Sequence, residues 1–355
     1  LANKLKIAVL PGDGIGPEVM DEAIKILKIV SKKHSLNFEF NFEDVGGIAY
    51  DKYKSALPKQ TIEICEKSSA ILFGSIGGPK WDDLPKEGRV EKVALLGLRK
   101  HFNFFANLRP AICYKPIANI SPIKNEIVKD GFDMLIVREL TGDCYFGEKK
   151  ITDDYAFDAM EYKRNEVERI AKVAFEAAMK RKRKVTCVDK SNVLATSVLF
   201  RKYVTEVSKK YPQIALNFMY VDNAAMQLIK NPHDFDVIVT TNMFGDILSD
   251  EAAMITGSIG MMPSASLNEK DFGMYEPAGG SAPDIAGKGI ANPIAQIMSA
   301  AMMMKYSFKR DDIYMEIEDA IIRVIEKNRT IDIMEKGCIQ VTTKQMGDLI
   351  AEKLY

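Results

Sequence analysis

The chain has 355 residues, 47% hydrophobic and 28% charged, with 49 Lys plus Arg against 49 Asp plus Glu and a formal net charge of zero. That is the composition of a globular chain of two domains or one large one, and it excludes a disordered chain, a collagen-like repeat and a disulfide miniprotein. The balanced charge speaks against nucleic-acid binding, which needs a cationic face.

In chain order, Lys6 to Leu10 reads as a buried strand that ends in Pro11-Gly12-Asp13-Gly14. Pro17 then opens a helix, where its missing N–H costs nothing, and Met20, Ala23, Ile24, Leu27 and Val30 follow at helical spacing. Phe38, Phe40 and Phe42 alternate with polar residues as in a half-buried strand. Ala70 to Phe73, Met134 to Val137, Val185 to Val188, Leu216 to Val221 and Val237 to Thr240 read as further strands, and Val167 to Met179 and Ile313 to Ile325 as helices. Such alternation predicts an α/β protein with a largely parallel sheet. Gly142 to Tyr162 breaks the rhythm, and its alternating Tyr155, Phe157 and Ala159 fit an antiparallel excursion or a long surface loop. The basic run Lys180 to Lys184 follows a helix, where cations meet the negative end of the dipole, and that reading is preferred to a nucleic-acid site.

The apolar stretch from Ile290 to Met304 is broken by Asn292, Pro293 and Gln296, and no run reaches the roughly 20 residues of a membrane span. Ile7 to Leu10 is too short for a signal-peptide core. Five scattered Cys without a CxxC fit reduced thiols and a cytoplasmic address. No membrane partner is expected.

Gly12-Asp13-Gly14-Ile15-Gly16 resembles a dinucleotide fingerprint, but Pro17 stands where the third glycine belongs, so a Rossmann site is not expected. In Asn242 to Asp250, a helix starting near Gly245 places Asp246 and Asp250 one turn apart on one face. A divalent cation such as Mg²⁺ or Mn²⁺ would suit these oxygens; two solvated acids near a helix N-terminus are the alternative. Asp222 follows a strand, at the edge where α/β proteins place ligands. Arg138 ends an apolar strand, a poor place for a cation unless an anion meets it, and with Arg99 and Arg109 it offers forks for carboxylates. Lys190 beyond a strand end and Tyr145 in the irregular stretch are candidate proton-transfer groups or plain structure. The Gly- and Pro-rich loop Glu276 to Gly287 permits close ligand approach, and Asp284 could accept from ribose hydroxyls while repelling a 2′-phosphate.

Leu10 to Glu18, Leu108-Arg109-Pro110, Val137 to Gly142, Tyr145 to Glu148, Val188-Asp189-Lys190, the acidic stretch 242–250 and Gly280 to Gly287 stand in one familiar order. Nearly end to end, the chain resembles the β-decarboxylating 2-hydroxyacid dehydrogenases, the family of the isocitrate and isopropylmalate dehydrogenases. The resemblance implies two α/β domains sharing one large mixed sheet, not a Rossmann fold. Residues 1–104 with 257–355 would form the first, bearing the cofactor loops; 105–256 would form the second, with dimerisation, metal and catalytic residues and an intersubunit arm at about 142–162.

By the same resemblance, Arg99, Arg109 and Arg138 would bind the malate carboxylates. Asp222, Asp246 and Asp250 would hold Mg²⁺ or Mn²⁺, with Asp222 also at the substrate. Lys190 would promote loss of the hydroxyl proton and Tyr145 would help protonate the enol. NAD would meet Ile15, the segment from Gly78 to Glu91, and Gly280, Ser281, Ala282, Asp284 and Asn292 in the loop beyond. Leu95, Leu96 and Val193 would form an apolar substrate pocket, where isocitrate dehydrogenases carry Ser and Asn before the arginine equivalent to Arg99. These features favour the isopropylmalate branch. The implied function is NAD-dependent oxidative decarboxylation of 3-isopropylmalate to 4-methyl-2-oxopentanoate and CO2 in leucine biosynthesis, by a homodimer whose sites draw on both subunits. The same chemistry on tartrate or homoisocitrate is the nearest alternative. A non-catalytic ligand-sensing relative is another, although Lys190, Tyr145 and the three aspartates are all present. The chain departs from many relatives at Gly279, where they carry His, and at Arg89-Val90-Glu91, where Pro-Glu is usual.

Overall fold

The computed structural model describes residues 4–85 and 88–355. In chain order the first leg holds β1 (Leu5–Gly12), α1 (Gly16–Lys33), β2 (Phe38–Phe42), α2 (Gly47–Tyr53), α3 (Lys59–Glu66), β3 (Ala70–Ser75) and α4 (Val90–His101). The middle of the chain holds β4 (Ala106–Cys113), α5 (Asn125–Val128), β5 (Phe132–Glu139), the short β6 (Lys149–Ile151) and β7 (Ala156–Asp158), and α6 (Arg164–Met179). It continues with β8 (Lys184–Asp189), α7 (Ala195–Ser208), β9 (Ala215–Tyr220), α8 (Val221–Lys230), β10 (Val237–Thr240) and α9 (Asn242–Ile255). The last leg holds β11 (Pro263–Leu267), β12 (Gly273–Pro277), α10 (Ile294–Tyr306), α11 (Asp311–Ile325), β13 (Asn328–Arg329), β14 (Ile339–Gln340) and α12 (Thr343–Leu354). Two compact units result, 1–102 with 257–355, and 103–256.

In the first unit β1 pairs in parallel with β2 and β3, β3 with β12, and β11 closes the set antiparallel to β12. Ile7, Ala8, Val9 and Leu10 are wholly buried, as a central parallel strand covered on both faces requires. Each large side chain buried there contributes about 1.5–3 kcal/mol. Pro17 stands at the start of α1, Glu18 lies in its first turn and Lys32 and Lys33 in its last, so its charges follow the helix dipole. Helix α10 is buried along nearly its whole length, so the apolar stretch after Pro293 is a core helix.

In the second unit β4 pairs antiparallel with β5, and β5, β10, β8 and β9 continue in parallel. The irregular stretch carries an exposed antiparallel pair, β6 with β7. Five described strands escape the sequence pattern: β4, β11 and β12, each interrupted by Pro or by buried polar residues, and the two-residue β13 and β14. Strand β9 stops at Tyr220, so Asp222 lies in the first turn of α8. The basic run lies in the turn between α6 and β8 rather than on the last turn of a helix. Its Arg181 is fixed by Asp133 at 2.9 Å and Asp236 at 2.8 Å.

Candidate active site

In the second unit the strand register puts Arg138 of β5 opposite Asn107 of β4 and Thr240 of β10. Arg109 stands two residues beyond Asn107, on the same face of β4. Both arginines are buried. Gly245 lets α9 close on the Arg138 stem, since a Cβ there would fall 2.6 Å from Cγ of Arg138. The Arg138 Nε donates to Asn242 Oδ1 at 3.0 Å, and its guanidinium pairs with Asp246. Arg109 donates to Asn107 Oδ1 at 2.8 Å, to Ser249 Oγ at 2.7 Å and to Asp250 at 3.2 Å, and lies 3.5 Å from Asp246. Tyr145 brings its hydroxyl to Asp246 Oδ2 at 3.0 Å.

These contacts set the charge states. Burial first, and then the charge of Asp246, push the Tyr145 hydroxyl up to about 12, so it keeps its proton at neutral pH. Asp250 is raised by burial, with Arg109 opposing and Asp246 adding to the rise. Helix α9 begins at Asn242, three residues earlier than the pattern indicates, and its first turn holds no acid. Asp246 and Asp250 thus stand beyond the first turn of α9, one turn apart, Asp246 half-buried and Asp250 exposed, and each meets a buried arginine.

Lys190, just past β8, pairs with Asp222 at 2.7 Å. The Lys190 ammonium holds the Asp222 carboxyl below its usual value, so it stays ionised. Val193 is exposed and lies in the turn after β8, where its N–H donates to the Lys190 carbonyl at 2.9 Å. Within one chain, no group of three or more His, Cys, Asp or Glu side chains gathers as a metal cage among the described residues. Asp222 is thus not brought to Asp246 and Asp250 in a single copy.

The first unit holds a cavity of about 170 Å³ whose lining includes Ile15, Ile259, Gly280, Ala282, Asn292 and Asp332. The Ile15 N–H donates to the Ser281 carbonyl at 2.9 Å. Gly14 has φ +60°, and a Cβ would lie 2.0 Å from that same carbonyl, so only glycine lets these two loops meet. Asp332 accepts from Ser258 Oγ at 2.6 Å and from Asn292 Nδ2 at 3.0 Å. Gly78, Glu91 and Asp284 do not line this cavity. Asp284 is exposed on its loop. Glu91 lies in the first turn of α4, with Oε1 1.9 Å from where a Cβ on Gly77 would sit, so it abuts the loop that carries Gly78. Of the segment 78–91, residues 86 and 87 lie outside the described residues. Beside the cavity, a Cβ on Gly279 would make ordinary contact with Ile259 at 3.6 Å. Farther along α4, Leu95 and Leu96 are half-buried, and buried Arg99 pairs with Glu276 at 3.1 Å, its Nε without a hydrogen-bond partner.

Sequence reasoning missed Asn107, Asn242 and Ser249, which aim the arginines, and Ile331 and Asp332 of the cavity. Asn107 was within reach, because it precedes Arg109 by one strand period. Asp332 carried no signal, since it reaches the cavity from a turn far along the chain.

The chain thus joins an α/β fold to buried arginines facing carboxylates in one unit and an apolar, glycine-lined cavity in the other. The isocitrate/isopropylmalate dehydrogenase family model matches residues 6–350. The chain is 54% identical over 356 residues to 3-isopropylmalate dehydrogenase of Salmonella typhi, covering 99% of this chain and 98% of that one. It is 55% identical over 350 residues to the protein of that name from Campylobacter jejuni, covering 98% and 97%. Among solved structures, isocitrate dehydrogenase from Methylococcus capsulatus matches with a TM-score of 0.86 at 34% identity, over 99% of both chains. A beta-decarboxylating dehydrogenase from Thermococcus kodakarensis matches at 0.81 and 34%, over 99% of this chain and 96% of that one. The chain belongs to the isocitrate/isopropylmalate dehydrogenase family and has that family's α/β fold.

Proposed function

We propose that the protein catalyses the NAD-dependent oxidative decarboxylation of 3-isopropylmalate to 4-methyl-2-oxopentanoate and CO2, the reaction of leucine biosynthesis. The observation that carries this reading is the 54–55% identity, over essentially the whole chain, to relatives bearing that activity in their names. The chemistry of the second unit agrees with it. Arg109 and Arg138 offer buried guanidinium groups to the substrate carboxylates, and Arg99, which belongs to the first unit, would be the third. Asp246 and Asp250, with Asp222, present only hard oxygen donors, which fits Mg²⁺ or Mn²⁺. When bound, the cation polarises the substrate oxygen and stabilises negative charge on it, and NAD takes the hydride. Lys190 promotes loss of the hydroxyl proton. Tyr145, kept protonated by its surroundings, returns a proton to carbon after CO2 leaves.

The cavity with Ile15, Gly280, Ala282 and Asn292 would take the adenosine half of NAD, with Ser281 holding the loop, Asp284 at the ribose hydroxyls, and Gly78 and Glu91 toward the nicotinamide. Leu95 and Leu96 would meet the isopropyl group, with Val193 from the neighbouring subunit. A homodimer accounts for two features of the single chain. Met226 and Ile229 of α8, Ile247 and Met254 of α9, and Ile151, Tyr155 and Phe157 of the β6–β7 arm are apolar and exposed. Lys190 and Asp222 stand apart from Asp246 and Asp250, so a second copy would bring them in. No described helix is long and apolar enough to cross a membrane, and the five cysteines are unpaired, in keeping with a cytoplasmic enzyme.

A substrate panel tests the reading. With NAD and Mg²⁺, 3-isopropylmalate should give the highest kcat/KM among isopropylmalate, tartrate, malate, isocitrate and homoisocitrate, and EDTA should abolish turnover until Mg²⁺ or Mn²⁺ is restored. A higher kcat/KM on another acid would replace the substrate; full activity after exhaustive chelation would remove the metal.

A further inference from the structure

Asp143 is the residue whose backbone and burial the proposed reaction leaves unexplained. It has φ +73°, a left-handed conformation that most residues with a side chain avoid and that Asp enters when its carboxylate is hydrogen-bonded locally, and it is buried at 1% exposure. Its carboxylate takes three donors from three segments. Oδ1 accepts from the Cys144 N–H at 2.8 Å; Oδ2 accepts from the Tyr162 hydroxyl at 3.2 Å and from the Met243 N–H of α9 at 3.1 Å. Its own carbonyl accepts from the N–H groups of Phe146 at 3.3 Å and Gly147 at 3.2 Å, closing the turn that carries Tyr145. The Tyr162 hydroxyl in turn accepts from the Asn242 N–H at 2.8 Å, and the Asn242 side chain aims Arg138.

We propose that Asp143 is a positioning residue that clamps the Tyr145 turn onto the start of α9, so that the Tyr145 hydroxyl is held at Asp246. A glycine would take this backbone freely. An aspartate holds it because its carboxylate is engaged on both sides: one oxygen on its own turn, the other on the helix that carries Asp246 and Asp250. The clamp therefore sets the distance between a proton donor on a loop and an acid on a helix. This inference rests on the reading of Tyr145 as the proton donor.

The test compares full-length variants assayed with NAD, Mg²⁺ and 3-isopropylmalate. Asp143→Gly relieves the backbone and deletes the clamp, so the fold should persist. Its kcat should fall about 10–100-fold, as expected for a displaced proton-transfer group. KM for both substrates should stay within about threefold, because the carboxylate-binding arginines remain. The solvent deuterium isotope effect on kcat should rise as proton return becomes limiting. Asp143→Asn keeps one acceptor oxygen and turns an NH2 donor toward the N–H donors on the other side, so it holds half of the clamp and its kcat should lie between those of Asp143→Gly and the wild type. Tyr162→Phe, which removes one donor to Asp143 and the acceptor of the Asn242 N–H but leaves the Asp143 backbone as it is, should slow kcat in the same direction if Asp143→Gly does not fold. The double variant Asp143→Gly/Tyr145→Phe should be no slower than Tyr145→Phe alone, since both act on one group. A slow Tyr145→Phe beside an Asp143→Gly or Tyr162→Phe at wild-type kcat overturns the clamp alone. Fully additive losses in the double variant also overturn it. Wild-type kcat in Tyr145→Phe overturns the reading of Tyr145, and the clamp with it.

Discussion

The two units are built alike and handle ligands differently. Each has four parallel strands and one antiparallel strand at the end of the row. The first unit lines its cavity largely with Ile, Ala and Gly, and its loops meet there through backbone groups, the Ile15 N–H donating to the Ser281 carbonyl. The second sends whole charges inward: Arg109 and Arg138 are buried and face Asp246 and Asp250. A cavity of that kind selects by shape and tolerates small losses. Buried charges select by sign, and losing one leaves its partner unpaired in a low dielectric. Variants in the second unit should therefore cost most.

The largest effect is expected for Arg138→Ala and Lys190→Ala, each losing about 10²–10³-fold in kcat/KM as a buried or bridging charge is truncated. Mixed by joint unfolding and refolding, the two should regain activity that neither shows alone, because one site of the hybrid combines the intact Arg138 of one chain with the intact Lys190 of its partner. A confirmed hybrid that stays inactive would place both residues in the same subunit's site.

Next comes the choice of nicotinamide cofactor in the first unit. Asp284 should favour NAD over NADP by about 2–4 kcal/mol, through one ribose hydrogen bond and one phosphate repulsion. Asp284→Asn should narrow the ratio of the two kcat/KM values. Equal values in the unmodified protein would take Asp284 out of the ribose site.

A smaller loss is expected at Leu95. Leu95→Ala should reduce kcat/KM for 3-isopropylmalate by about 1–3 kcal/mol while leaving malate less affected. Equal losses on the two acids would mean damage to α4 rather than a lost pocket contact.

The smallest effect lies on the surface of the first unit. Arg310 pairs with Asp312 at 2.6 Å and pulls its carboxyl down from 3.8 to about 2. A lowered carboxyl stabilises the folded state above its unfolded value, and the gain fades as pH falls from about 4 through 2. The pair is open to solvent, so Asp312→Asn should cost under about 1 kcal/mol at pH 7 and only a small part of that at pH 2, where the carboxyl is half protonated in the folded state. Denaturant unfolding at both pH values reads this, and a cost undiminished at pH 2 would assign the effect to something other than the charge.

How much could be read from the chain follows the same division. Strands β1, β3, β5, β8 and β10 show as apolar runs because both their faces are covered. Strand β4 hides behind Asn107, Arg109 and Pro110, since its inward polar groups serve the site and break the pattern. Strands β11 and β12 hide behind Pro263, Pro277 and a row of small residues. Asp246 and Asp250 were legible from helical spacing, but the early start of α9 at Asn242 was not, because Thr241 gives it no side-chain cap. Asp143 was invisible, since its role depends on a backbone angle and on donors 19 and 100 residues away.

Strand β3 pairs Ile71 with Met274 and Leu72 with Tyr275. Between these partners lies the whole of the second unit, residues 103–256. On a ribosome the middle unit emerges complete and can fold by itself, while β1, β2 and β3 wait for β12 to be made. The Ile15–Ser281 contact closes later still. Assembly from the inside of the sequence outward is therefore the expected order: the half with the buried arginines is complete first, and the glycine-lined cavity can close only when the chain is nearly finished.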